Sequence, residues 1–318
     1  MIRRYALMVG ILLMLTSIFL LYESGLETDY IIRMRFNRLL TILLGSICVA
    51  YSSIIFQTLF GNRILTPSIM GYESLYLLIQ VLIQLVGGIS ALIALGVTGN
   101  FLLSAAIMLT YSLILYRWIF PFLKNDAFLL LLFGIVLSLL IITFSQFFQL
   151  LISPSEFSIF QGFTYTSFNR AKPNLLLISS ITILLVIVLI IKQLPILDVM
   201  LLGREQSISL GINHTKKTTE FLLIISVLVA ISTSMIGVTA FMGVFISNIT
   251  YSITNNYRHI HSLTIGFLLS SIFFLTAQLL VEHVFNYKTT VSILINLFCG
   301  GFFLMYILYK GKKLNFNA

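Results

Sequence analysis

One uncharged stretch decides the fold class of this chain: Ala127-Phe-Leu-Leu-Leu-Leu-Phe-Gly-Ile-Val-Leu-Ser-Leu-Leu-Ile-Ile-Thr-Phe-Ser-Gln-Phe-Phe-Gln-Leu-Leu-Ile152. A helix of about 20 mainly apolar residues spans the hydrocarbon core of a bilayer, and this run is longer. The whole chain has the same character, since 59% of its 318 residues are hydrophobic and only 9% are charged. Soluble domains carry about a quarter of charged residues. The sequence therefore predicts an all-α integral membrane protein with one domain over residues 1–318.

Outward from this run, charged residues, prolines and polar clusters separate further apolar segments. Segment 243–254 is too short to span alone and follows Gly237, so we interpret it as half of a broken helix. Arg3 and Arg4 precede the first run as in a signal peptide, but no small-residue cleavage site follows, which favours a first membrane helix. We predict about ten transmembrane segments: 5–22, 36–60, 67–87, 100–119, 127–152, 174–192, 220–240, 243–254, 261–284 and 290–309.

The distribution of cations predicts how these segments are oriented. Cytoplasmic loops are enriched in Lys and Arg, and most of the 19 Lys and Arg residues share one side when the N-terminus is placed inside. Both termini and the longest polar connection, residues 193–219, are then cytoplasmic. The cluster Arg33, Arg35 and Arg38 falls on the outer side, against this tendency, and requires a separate explanation.

Sequence motifs for catalysis or metal binding are missing. Gly311-Lys312 has Tyr306 where a phosphate-binding loop needs its first glycine, and neither H-E-x-x-H nor G-x-S-x-G occurs. Cys48 and Cys299 lie in distant apolar runs, and we interpret the neighbouring His259 and His261 as solvated loop residues. We therefore expect no enzyme activity, no cofactor and no metal site. The net charge of +9 suggests contact with membrane lipid, not nucleic acid.

The segment Arg35-Phe-Asn-Arg38 places two guanidinium groups one helical turn apart on the outer surface. Two interpretations are open. The arginines either snorkel to the membrane interface or dock an acidic partner through charge-assisted hydrogen bonds.

Residues 62–76 join the second and third segments and place Glu73 inside an apolar span. An unpaired acid there costs several kcal/mol. Glu73 should therefore face a polar interior, where it lines a pathway or gate, unless it lies near enough to the interface to be solvated. The polar neighbours that share this pathway or gate prediction are Tyr72, Ser74 and Tyr76.

Residues 202–212, Leu202-Gly-Arg-Glu-Gln-Ser-Ile-Ser-Leu-Gly-Ile212, predict a short amphipathic helix that ends at Gly211. A helix on the cytoplasmic side serves either as a spacer or as a lever that a soluble partner grips.

These three segments resemble motifs of the FecCD/BtuC family, the membrane subunits of ABC importers for iron-siderophores, haem and cobalamin. Residues 35–38 are similar to R-x-P-R, residues 62–71 to N-P-L-A-x-P-x-x-L-G, and residues 202–211 to L-G-x-x-x-A-x-x-L-G. The closer similarity is to the subgroup for catecholate-type siderophores, in which N-R-x-L-T-P-S-I-x-G precedes an acid, here Glu73. Residues 237–243 resemble G-x-I-x-F-x-G, and the likeness covers nearly the whole chain. Glu282 departs from it, since the family has a basic residue there.

The resemblance implies a BtuC-like fold in a bacterial plasma membrane and a permease subunit for ferric siderophores. Its implied partners are ABC ATPase subunits, an extracytoplasmic siderophore-binding protein or lipoprotein, and a second permease subunit, identical or paralogous. Arg35 and Arg38 would dock the receptor. The remaining alternative is an ion-coupled secondary transporter of a small organic solute. The expected contacts to the ATPase are Leu202, Gly203, Arg204, Glu205, Ser207, Leu210 and Gly211.

Overall fold

The computed structural model describes residues 2–22, 28–124, 126–239, 241–254 and 256–315, and every regular element in these ranges is helical. The predicted all-α class is confirmed. Short 3₁₀ or π-helical turns span Pro67–Met70, Leu115–Ile119 and Leu280–Val284, and a single α-helical turn spans Phe120–Phe122. The helices are α1 (Ile2–Leu21), α2 (Thr28–Phe60), α3 (Tyr72–Ile114), α4 (Ala127–Gln149), α5 (Pro154–Thr164), α6 (Pro173–Met200), α7 (Arg204–Ser209), α8 (His214–Ile236), α9 (Met242–Ile253), α10 (His259–Leu279) and α11 (Val291–Asn315).

Within the described residues, 7 helical stretches are long and apolar enough to cross a membrane. The longest, Tyr72–Phe122, has 51 residues and is long enough for two passages. Two shorter apolar helices, Met242–Ile253 and Val291–Phe302, add to them. Each of the predicted segments therefore overlaps a helix in the structure, although segments 127–152 and 220–240 run past the ends of their helices at Gln149 and Ile236.

The long helix α3 is a hairpin, because its backbone leaves helical geometry at two glycines. Gly88 (φ 61°, ψ −163°) and Gly96 (φ 61°, ψ −179°) adopt conformations that disfavour L side chains. The two halves run antiparallel, since Gln80 and Asn100 exchange hydrogen bonds of 3.2 and 3.0 Å. Further from the reversal, the hydroxyls of Tyr72 and Tyr116 lie 2.6 Å apart.

The core is centred on α2 and α8. In each of these two helices, 72% of the residues in the most apolar 18-residue stretch are buried, compared with 11% in α1. Ile54 of α2 and Phe221 of α8 are fully buried, and a Cβ added at Gly266 of α10 would lie 2.7 Å from Ile54 Cδ1. Helices α1, α4 and α6 keep many large apolar side chains exposed, which suits contact with lipid or another subunit.

The backbone between α8 and α9 is not helical over 237–239, which confirms the predicted broken segment. Gly237 has φ 94°, and the extended segment after α5 covers the break. The Ser167 N–H donates to the Ile236 carbonyl at 2.8 Å, and the Thr166 hydroxyl donates to the Val238 carbonyl at 2.6 Å. Polar groups freed by the break therefore find partners inside the protein, as a membrane interior requires.

The structure also extends or adds to the prediction in three places. Helix α2 begins at Thr28, so that Arg33, Arg35 and Arg38 lie on a helix that projects beyond its apolar part. Helix α6 continues through Pro195 to Met200, which limits the connection to α8 to residues 201–213. Helix α5 was not predicted, although Ser153 and Glu156 form a capping box at its start and Pro154 occupies its first position.

Gly237→Ala should destabilise the fold by about 1–3 kcal/mol, since both the backbone and the available space oppose a side chain. A Cβ at this position would lie 2.8 Å from the Tyr165 carbonyl oxygen, in addition to the strain at φ 94°. The matched control is Gly10→Ala in α1, where a Cβ meets nothing within 4 Å. The midpoint of thermal unfolding in detergent measures both, and equal midpoints would contradict the role given to the break.

Candidate functional site

Glu73 lies in the first turn of α3, and its carboxylate reaches the break between α8 and α9. Its Oε1 accepts a hydrogen bond from the Thr239 N–H at 3.1 Å and one from the Thr239 hydroxyl at 3.3 Å. The residue is only 8% exposed. A carboxylate in a membrane interior is stable only when it is paired or hydrogen-bonded. The contact therefore joins α3 to the unwound backbone.

A small polar cavity adjoins this contact. Its volume of about 10 Å³ is close to the minimum that holds one water molecule. Glu73 and Thr239 line it together with four serine hydroxyl groups from α2, the turn before α3 and α8: Ser52, Ser53, Ser68 and Ser232. The carboxylate is thus in a locally polar site that bulk water does not fill.

The three polar neighbours of Glu73 point to other partners. The Tyr72 hydroxyl contacts Ser112 at 3.2 Å in the returning half of α3. Ser74 lies 3.1 Å from the Ser138 hydroxyl of α4. Tyr76 is 2% exposed and lines a separate, larger cavity with Arg170. The structure therefore brings only Glu73 of the four to the break, while Tyr72 and Ser74 hold α3 against its neighbours.

Arg35 and Arg38 both make contacts inside the chain, near the end of α2 that the sequence prediction places on the outer side. Arg35 Nη1 donates to the carbonyls of Phe19 at 3.1 Å and Tyr22 at 2.5 Å, at the end of α1. Arg38 Nη1 lies 2.7 Å from Glu282 Oε1, and the Glu282 side chain is only 5% exposed. Glu282 also accepts hydrogen bonds from Gln278 and Tyr287, both at 2.8 Å. Part of the charge at this surface is therefore neutralised internally.

The short helix α7 stands between two glycines with positive φ, Gly203 (98°) and Gly211 (83°). Its faces differ sharply. Ser207 is fully buried, whereas Ile208 is 53% and Leu210 is 62% exposed. Leu202, Arg204 and Glu205 are exposed as well. An exposed apolar edge flanked by charges is the usual character of a protein contact surface.

A buried polar contact near α7 was missed by the sequence reasoning. His259 begins α10 and is 3% exposed, so the interpretation of it as a solvated loop residue was wrong. Its Nδ1 lies 2.6 Å from Asp198 Oδ1 near the end of α6, and its Nε2 lies 2.8 Å from the Thr58 hydroxyl of α2. These residues are far apart in sequence, and no local spacing signals the contact. It ties three helix ends together directly beside the 201–213 connection.

Comparisons with known proteins show which proteins this chain is similar to. The chain is 36% identical over 310 residues to the petrobactin import system permease protein YclO of Bacillus subtilis (strain 168), covering 98% of both chains. It is 32% identical over 280 residues to the petrobactin import system permease protein FatC of Bacillus anthracis, covering 88% of this chain and 79% of that protein.

Solved structures show the same fold at low sequence identity. A metal-chelate type ABC transporter in an inward-facing conformation superposes with a TM-score of 0.83 at 18% identity, covering 95% of this chain and 97% of that one. PsaBC from Streptococcus pneumoniae in complex with Fab superposes with a TM-score of 0.56 at 15% identity, covering 89% and 92%. The sequence pattern of the FecCD transport family matches residues 5–310. The chain therefore belongs to the FecCD transport family.

Proposed function

We propose that this chain is the permease subunit of an ABC importer for ferric siderophores of the catecholate type, with ferric petrobactin as its first candidate substrate. The observation that carries the proposal is the 36% identity to a petrobactin import permease over 98% of both chains. In this proposal separate ATPase subunits and an extracytoplasmic receptor complete the importer. A second permease subunit, identical or paralogous, completes the pathway.

The test is uptake of radioactive iron as ferric petrobactin by cells that lack their own petrobactin permeases and express this chain with its receptor and ATPase. Uptake should depend on the chain, exceed that of a ferric hydroxamate, stop on ATP depletion and persist when a protonophore removes the proton gradient. Uptake driven by the gradient alone would instead support the ion-coupled alternative.

Within this function, we infer that Glu73 holds the break between α8 and α9 in place through hydrogen bonds and does not bind the substrate. Ferric catecholates carry negative charge, so a bare carboxylate would repel them. The contact with Thr239, at 3.1 and 3.3 Å, uses carboxylate oxygen as an acceptor. An amide oxygen can accept in the same way. The role proposed for Glu73 is therefore that of a positioning residue at the gate.

Glu73→Gln should transport nearly normally, since the amide oxygen can still accept from the Thr239 N–H. Glu73→Ala should lose most uptake or stability, because it leaves the Thr239 groups without their buried acceptor. Uptake and thermal unfolding of the assembled transporter separate the two effects. Loss of uptake in a folded Gln variant would show that the charge itself matters. Normal uptake and stability of both variants would exclude the positioning role of Glu73.

We also propose that the outer surface around Arg35 and Arg38 docks the receptor, with Arg33 as a further exposed cation. Reversing Arg38 alone would place two carboxylates together at a buried site. The informative variant therefore combines Arg35→Glu, Arg38→Glu and Glu282→Arg, which preserves the internal ion pair.

This triple variant should bind the receptor about tenfold more weakly at low salt, with the difference shrinking as salt rises. Binding of the purified receptor to the membrane-embedded transporter gives the measurement. The control is Lys124→Glu, an exposed cation that the predicted topology places on the cytoplasmic side. Equal receptor affinity of the triple variant and the wild type at every salt concentration would exclude the docking role.

For the cytoplasmic side, we propose that α7 and its flanking residues seat in a cleft of the ATPase. Ser207 faces inward, so Glu205, Ile208 and Leu210 offer the contact surface. Gly203 and Gly211 let the chain turn sharply at both ends.

Cysteines at Glu205 or Ile208 should form crosslinks with the ATPase, and a cysteine at Ser207 should not, because that position is buried. Ile208→Asp should leave ATP hydrolysis measurable while uptake falls at least about tenfold, since a charge replaces an apolar contact. Crosslinks that form only from another loop would refute the assignment.

A further inference from the structure

A cavity of about 510 Å³ lies between the two halves of α3, helix α5 and the segment that follows α5. It is distinct from the small cavity beside Glu73. Its polar lining groups come from α3, α8 and the segment after α5: Tyr76, Asn100, Arg170, Lys172 and Ser234. By the predicted topology, this cavity belongs to the outer half of the protein.

The charge of the cavity is positive. Arg170 and Lys172 line it, and its lining contains no acidic residue. Lys172 is exposed and has no ion-pair partner within the described residues. The one acid of α5, Glu156, accepts hydrogen bonds from the Ser153 N–H at 2.9 Å and the Ser153 hydroxyl at 2.8 Å. These bonds hold the pKa of Glu156 below its usual range and keep its carboxylate at the start of the helix. The cavity therefore favours an anion.

The buried hydroxyl oxygen of Ser234 in the lining has no hydrogen-bond partner among the described residues. The Arg170 guanidinium is fixed, because its Nη2 donates to the carbonyls of Gly162 and Tyr165. The guanidinium also hydrogen-bonds to the Tyr76 hydroxyl. Buried polar groups normally find partners, so a ligand with oxygen acceptors would complete the hydrogen bonding of this wall.

Aromatic rings supply the rest of the recognition surface. Phe101 is 6% exposed and lines the cavity, and the Arg170 guanidinium carbon lies 5.5 Å from the centre of the Phe163 ring. An arginine held over one ring can stack a second aromatic face from the ligand. The cavity thus combines cations, hydrogen-bond donors and aromatic side chains. This combination matches an anion that carries aromatic rings and oxygen acceptors on its surface.

The position of the cavity links it to the break between α8 and α9. Tyr76 lies one turn after Glu73 on α3, and Ser234 lies in the last turn of α8, just before Gly237. A Cβ added at Gly237 would lie 3.1 Å from Arg170 Nη1. A ligand in the cavity would therefore contact the same elements that the Glu73–Thr239 hydrogen bonds hold.

We propose that this cavity is a binding site for the ferric complex within a single permease chain, recognised as an aromatic anion by Arg170, Lys172 and Ser234. The proposal rests on the proposed function for the identity of the ligand. The geometry of the site, however, belongs to this chain alone.

The test fills the cavity and removes its free charge separately. Gly162 lines the cavity on α5, and a Cβ there meets nothing within 4 Å, so Gly162→Leu adds volume without a backbone clash. Its matched control is Gly10→Leu in α1, which has equal space outside the site. Lys172→Gln removes the cation that has no internal partner. Arg170 is left unchanged because it holds the end of α5.

Binding is measured by equilibrium dialysis of labelled ferric petrobactin against the full transporter in nanodiscs, without ATP or receptor, and uptake is measured in parallel. Gly162→Leu and Lys172→Gln should each weaken binding about tenfold, and Gly10→Leu should not. Nanodiscs of phosphatidylglycerol and of phosphatidylcholine are compared, and the affinity should be the same in both.

Two results would overturn the proposal, and a third separates it from the proposed function. Unchanged binding by Gly162→Leu would show that the complex binds elsewhere. The cavity would belong to a lipid if phosphatidylglycerol copurifies with the wild type, is lost in Gly162→Leu and excludes the ferric complex. Absence of wild-type uptake of ferric petrobactin would refute the proposed function itself, whereas normal uptake with unchanged binding in the variants would refute the cavity alone.

Discussion

A membrane interior offers no water to an open backbone, and this constraint governs the fold of the chain. Helices α1 to α11 meet it by forming their hydrogen bonds internally, but the break at 237–239 leaves the carbonyls of Ile236 and Val238 and the Thr239 N–H without helical partners. Here the chain uses hydrogen bonds from Thr166 and Ser167 to the carbonyls of Val238 and Ile236, and the carboxylate of Glu73 as acceptor for Thr239. Helices α3, α8 and α9 and the segment after α5 thus meet at this break. The packing of these elements depends on the break being satisfied.

The membrane helices could be predicted because their apolar runs are local and long. The all-α class, the segment positions and the broken helix near Gly237 all follow from runs, charges and glycines that are visible in the sequence. The ends of helices were harder to predict, since α2 and α6 extend well beyond their apolar parts. Helix α5 is short and moderately polar, and its capping box was the one local signal of it.

The sites were only partly predictable, because their contacts join distant residues. Glu73 stood out as an acid in an apolar run, but its partner Thr239 is 166 positions away. Arg38 stood out as an outer cation, yet its pair with Glu282 depends on how α2 and α10 pack. Asp198 and His259 gave no signal of their contact, since each looks like an ordinary polar residue at a helix end. Sequence reasoning thus located conspicuous residues, and tertiary packing determined their partners.

The break also has a consequence for the order in which the chain is made. Its partners Glu73, Thr166 and Ser167 all precede residues 237–239 in the sequence. Because synthesis proceeds from the N-terminus and early parts fold first, these groups emerge from the ribosome before the unwound backbone does. The unwound main chain at 237–239 therefore enters the bilayer after the groups that donate hydrogen bonds to it and accept them from it.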